Sequence, residues 1–168
     1  MFSLRKLFAS IGLSLLLLLT ACSAAPPSDF QQAQQESTER GATAVVKDAE
    51  QGSRFNKFFP SPQDGYDVVY TQEKKGFAEA KLKQNGQDVA MLAVSDISST
   101  PTTADKFADS TDMVAGYPVA TQGNTATAVL VADRFQVKVL SRSPDFSSGD
   151  RLVWLEKFDL DGIATLAN

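Results

Sequence analysis

The chain has 168 residues, with 16 Lys and Arg against 20 Asp and Glu, a single Cys and no His. The absence of histidine excludes a Ser-His-Asp triad, an imidazole general base and imidazole metal sites. One cysteine leaves no intrachain disulfide and no thiolate-ligated zinc or iron–sulfur centre, and the acidic balance argues against nucleic acid as a partner.

Arg5 and Lys6 open the chain with no acid nearby, and a mainly apolar run from Leu7 to Ala21 follows. A helix needs about 20 apolar residues to cross a bilayer, so this run is too short to span one. A cationic start, an apolar middle and small residues before Cys22 is the layout of a secretory signal. The ending Leu19-Thr20-Ala21-Cys22 resembles the bacterial lipoprotein lipobox. That resemblance implies that Leu19, Thr20 and Ala21 occupy the recognition subsites, that cleavage leaves Cys22 first, and that Cys22 receives a diacylglyceryl thioether. An ordinary signal with a coincidental cysteine is the alternative. Two or three acyl chains hold a protein on a membrane stably, each buried CH₂ contributing about 0.8 kcal/mol. Loss of residues 1–21 removes two of the 16 cations, so 14 would face 20 acids.

Residues 22–43, rich in Ala, Pro, Ser, Gln and Glu, lack the apolar groups needed to offset ordering entropy and are expected to form a flexible tether. Residues 44–65 are expected to hold a short helix, broken near Gly52, and the turn-rich entry "FPSPQDG". Residues 66–168 are expected to form one α+β domain. Its first strands are Tyr66 to Lys74, Gly76 to Gln84 and Gln87 to Asp96, with Asn85-Gly86 as a hairpin turn. The apolar "VAMLAV" within the third places it centrally in the sheet.

A helix is expected next, capped by Thr100 or Thr103, with Pro101 in its first turn and Gly116 and Pro118 ending it. Strands Tyr117 to Gln122, Asn124 to Ala132 and Arg134 to Arg142 follow. A last helix opens on the capping-box pair Ser147 and Asp150 and ends at Gly162. The pattern reads as an antiparallel sheet of about six strands with two helices packed on one face. Its two parts resemble each other enough to suggest two βββα halves.

Few residues point to a site. Phe55, Phe58 and Phe59 flank Lys57 beside the tether and offer a partner-facing anchor, or else a staple on the sheet edge. Trp154 and Phe158 could line an apolar ligand groove between helix and sheet, or form the buried face of the helix. "FDLDG" (158–162) carries an Asp-x-Asp-Gly pattern but lacks the glutamate of a calcium loop, and a helix terminus explains it better. "QEKKG" (72–76) reads as a solvated hairpin, and Ser147, Ser148 and Lys157 make no recognisable nucleophile motif. No cofactor and no metal are expected.

The chain resembles small bacterial lipoproteins of unassigned function, and its Gln-rich tether and "FNKFFP" entry have a cyanobacterial flavour. This resemblance implies a protein facing the periplasm or thylakoid lumen, with a photosynthetic complex as a partner. The expected function is a non-enzymatic, lipid-anchored accessory or binding protein that engages a membrane-associated protein complex. A carrier of a small hydrophobic ligand in a helix–sheet groove is the alternative, and an enzyme using carboxylates ranks below both. The anchor is directly testable: Cys22→Ser should abolish incorporation of a radiolabelled fatty acid and leave a precursor or a soluble form. Unchanged incorporation would remove the lipobox reading.

Overall fold

The computed structural model describes residues 48–63 and 65–168. Residues 19 to 22 of the lipobox and the expected tether lie outside them. Seven antiparallel strands form one sheet: β1 (Tyr66–Lys74), β2 (Phe77–Gln84), β3 (Gln87–Asp96), β4 (Met113–Val114), β5 (Tyr117–Gln122), β6 (Ala126–Val131) and β7 (Phe135–Ser141). Their spatial order is β1-β2-β3-β7-β6-β5-β4. Two meanders are thus joined at the β3–β7 seam, where Leu92 pairs with Val139 and Val94 with Val137. Two α-helices close the chain, α1 (Ser148–Glu156) and α2 (Leu160–Ala164).

The α+β class and the antiparallel sheet agree with the sequence pattern, but the sheet has seven strands instead of about six. The extra strand is β4, a two-residue edge that turns into β5 through Ala115 (φ 50°) and Gly116 (φ 85°). Paired positive φ values suit the twist of a two-residue hairpin, so Gly116 makes a hairpin turn and does not end a helix. The expected helix over this region is a 3₁₀ segment, Pro101–Phe107, whose Thr100 makes no side-chain cap. Its residues supply little apolar periodicity at 3.6 spacing. Ala104 and Phe107, three apart, do share one side of a 3₁₀ turn.

Alternation along β6 decides how the layers stack. Val129 and Val131 join Trp154, Leu155 and Ile163 in the main core, while Ala128 and Leu130 join Phe107 in a smaller cluster. Successive strand residues point to opposite faces, so α1 and the 3₁₀ segment cover opposite sides of the sheet. The expectation of two helices on one face is therefore corrected. Antiparallel halves paired through β3 and β7 would be related by a twofold axis normal to the sheet, which would keep both helices on one face. The chain is thus not built as two equivalent βββα halves. All six residues of β6 are buried, as covering on both faces requires.

The expected short helix before β1 is replaced by two single 3₁₀ turns, Gly52–Arg54 and Asn56–Phe58. Gly52 explains why nothing larger fits there: a Cβ would overlap the carbonyl oxygens of Lys74 and Phe77 at the β1–β2 turn. Just before it, the chain is held by a buried carboxylate. Asp96 accepts from the amides of Glu50 (2.9 Å) and Ser98 (3.1 Å) and from Arg134 Nη2 (2.8 Å) and Nε (3.2 Å). Arg134 Nη2 also donates to the Asp48 carbonyl at 3.0 Å. Burial pushes the Asp96 carboxyl up, but the bonds from Arg134, Ser98 and Glu50 together hold it below the usual carboxylate range.

The last helical region also divides. The Ser147–Asp150 capping box is present, but α1 stops at Glu156 and α2 begins after Asp159. Gly162 sits inside α2, where a Cβ would strike the Asp159 carboxylate and the Phe58 ring.

Trp154 is 4% exposed and its ring lies 5.2 Å from that of Tyr66. Trp154→Ala should destabilise the domain by about 3–5 kcal/mol and Trp154→Phe by much less, read by urea unfolding. Asp96 has a lowered folded pKa, so its contribution is complete above about pH 4 and is lost as pH falls through the folded value. Arg134→Met should cost about 2–3 kcal/mol at pH 7. Asp96→Asn should flatten the loss of stability between neutral pH and pH about 3, and an unchanged acid limb would show that Asp96 does not control it.

Candidate functional site

The site begins with how α1 is started and oriented. Ser147 Oγ accepts from the Asp150 amide at 3.2 Å, and Asp150 Oδ2 accepts from the Ser147 amide at 2.8 Å. These reciprocal bonds satisfy two donors that the first turn would leave orphaned. The Ser147 side chain and amide hold the Asp150 carboxyl below its ordinary range. From this start, helical spacing turns Arg151, Trp154 and Leu155 inward, and all three are buried. Ser148, Leu152 and Glu156, at steps of four, fall on the flank next to β4.

Arg151 fixes the helix against the sheet. It is 3% exposed, and its Nε donates to Thr127 Oγ1 and its Nη1 to Ser141 Oγ, both at 2.9 Å. Among the described residues it makes no salt bridge, so a buried cation is held by hydroxyls of β6 and β7. Thr127 lies in turn on the floor of an open groove.

That groove has a volume of about 330 Å³ and lies between α1 and the β4 edge of the sheet. Val119, Thr121 and Thr127 form its floor, Met113, Val114 and Leu152 its apolar walls, and Asp112, Ser148 and Glu156 its remaining lining. Met113 is 60% exposed, Leu152 38% and Val153, next on α1, 51%. The groove thus offers a flexible thioether, branched apolar side chains and two carboxylates. It presents no nucleophile paired with a base.

The five aromatic residues singled out in the sequence lie elsewhere. Phe55, Phe58, Phe59, Trp154 and Phe158 are each at most 7% exposed and all belong to the main core. The Phe55 ring meets Phe135 at 5.7 Å, and the Phe59 ring meets Phe158 at 5.0 Å and Tyr70 at 5.4 Å. As a partner or ligand surface they are corrected: the 3₁₀ turns fold the first three against the sheet, and the inward stripe of α1 carries Trp154. A helix–sheet groove is present, but on the other flank of α1.

The remaining motifs have structural partners. In "FDLDG", Asp159 caps α2 by accepting from the Gly162 amide at 2.8 Å, and Asp161 accepts from the Tyr117 hydroxyl at 2.9 Å. Among the described residues no cluster of acids could hold a metal ion. In "QEKKG", Glu73 accepts from Asn56 Nδ2 and Lys74 lies over the Phe77 ring. Ser147 is engaged in the cap, and Lys157 lies 5.4 Å from the Trp154 ring.

The chain matches no family model, and no curated protein or solved structure shows a match to it. Sequence reasoning missed the groove because its parts come from β4, β5, β6 and α1. The legible signals were Leu152 and Val153, apolar residues off the inward stripe of a helix, and Met113 before a hairpin turn.

Proposed function

We propose that the protein is a non-enzymatic accessory or binding protein, held on a membrane through lipid at Cys22 and docking on a membrane-associated protein complex. The supporting observation is the placement of its exposed apolar side chains. Met113 and Leu152 face each other across one groove, while Phe55, Phe58, Phe59, Trp154 and Phe158 are used up in the core; the other exposed apolar residues, Val153 on α1 and Val69 and Tyr70 on β1, lie outside its lining. Exposed apolar residues clustered beside a polar rim are characteristic of interaction surfaces. Among the described residues no helix is long and apolar enough to cross a membrane. An extracytoplasmic setting, periplasm or thylakoid lumen, belongs to the same proposal and rests on the signal-like residues 1–22.

The groove also keeps the carrier reading in play, because Met113, Val114, Val119 and Leu152 would suit a small apolar ligand. Its volume is near the lower end of the roughly 300–1,000 Å³ typical of ligand clefts, and it is open to solvent. The docking reading therefore takes precedence.

Affinity purification of the full chain from native membranes in mild detergent tests both. The double variant Met113→Glu, Leu152→Glu should lose its co-purifying protein while retaining wild-type urea stability. Identical partner sets for wild type and variant would overturn docking through this groove. A small apolar molecule released in stoichiometric amount from wild type alone would establish the carrier instead.

A further inference from the structure

The groove has a charge character as well as an apolar one, and this narrows what can occupy it. Of its lining side chains, Asp112 and Glu156 carry charge and both are acidic; no cation lines it. The nearest described cation to its floor is Arg151, whose guanidinium bonds with Thr127 and Ser141 and is 3% exposed. One further acid stands nearby: Asp161 on α2 accepts from Tyr117 of β5, the strand that contributes Val119 and Thr121 to the floor. The chain as a whole carries a formal charge of −4.

From this we infer that the groove takes a basic amphipathic segment of a partner protein, one that inserts an apolar side chain between Met113 and Leu152 and sets Lys or Arg against Asp112 and Glu156. The inference rests on the docking reading above and names the chemistry of the partner. Opposite charges at a rim steer encounter and reject partners of the wrong sign, while the apolar walls supply the buried contact. Space of about 330 Å³ suits one or two large side chains of such a segment and not an entire helix face. The unbranched thioether of Met113 adapts to side chains of different shape, which favours recognition by class over recognition of a single sequence. A neutral apolar ligand would leave both carboxylates without a role, and an acidic segment would be repelled by them.

The test uses the full chain in a non-ionic detergent and two fluorescent 15-residue amphipathic peptides with the same leucine pattern, one with lysines and one with glutamates on the polar face. Fluorescence anisotropy should show binding of the lysine peptide and not of the glutamate peptide. Binding should weaken as salt shortens the Debye length from about 10 Å at 0.1 M towards 3 Å at 1 M. Asp112→Asn, Glu156→Gln should weaken it about tenfold, equivalent to about 1.4 kcal/mol. Asp67→Asn, Asp145→Asn changes the net charge equally at positions outside the groove lining and should leave affinity unaltered.

Equal binding of both peptides, or equal loss in the two double variants, would overturn the inference, because attraction would then be general or apolar. The two proposals fail separately. If Met113→Glu, Leu152→Glu abolishes co-purification but the lysine peptide gains nothing from Asp112 and Glu156, docking stands and the basic partner falls. If co-purification survives that variant, the docking reading itself falls.

Discussion

The Asp96 carboxylate is the constraint on which the start of this domain depends. Its side chain is fully buried, and a buried charge is tolerated only when its hydrogen-bonding capacity is met. Four donors meet it, drawn from residues near position 50, from the end of β3 and from the start of β7. The bond from Ile97 N to Arg134 O at 2.9 Å continues the β3–β7 ladder past the last paired residues. The ion pair therefore fastens the seam between the meanders and the incoming chain at one point. Arg134 lies 5.0 Å from the Phe135 ring, which keeps its guanidinium over the core while part of it stays in water.

The route of the entry segment follows from this pinning. With Glu50 O accepting from Gly76 N at 2.6 Å and Gly52 pressed on the β1–β2 turn, the chain can only run inward over the sheet. That direction puts Phe55, Phe58 and Phe59 into the core beside Phe135 and Phe158. An aromatic cluster next to a proposed tether can be read as an anchor or as a staple on the sheet until the backbone path is known. The path is set by a carboxylate 46 residues from Glu50 in sequence, and nothing local in "FNKFF" indicates it.

Much of the sheet was legible because local signals suffice for it. Tyr66–Lys74 and Gln87–Asp96 lie where alternation and the Asn85-Gly86 turn put them, and Asn85 takes the positive φ that this turn needs. The Ser147–Asp150 box started α1 where its spacing indicates. What was not legible depends on tertiary contacts. The segment Pro101–Phe107 is 3₁₀ because Phe107 and Ala104 have only a shallow patch of Ala120, Ala128 and Leu130 to cover. Edge strand β4 is two residues long, too short for any period to register. On α1 the apolar residues were visible, but a 100° step separates Trp154, which is core, from Val153, which is exposed. Composition cannot choose between them without knowing which flank meets the sheet.

Arg151 makes that choice and, through it, shapes the candidate site. By reaching Thr127 and Ser141 it rotates α1 so that its Leu155 side lies on β6 and β7, where both strands contact the helix. The sheet continues past this footprint to β5 and to the short edge β4, which α1 touches more lightly than β6 and β7. The uncovered strip is the groove. Its floor residues Thr121 and Thr127 pair with each other near one end of their strands, while the β6–β7 turn at Asp133 lies at the other. The Asp96–Arg134 fastening is at that second end, so Thr127 and Val131 on β6 are separated by roughly 13 Å of strand rise. The incoming chain is thus tied to one end of the sheet and the groove is built towards the other.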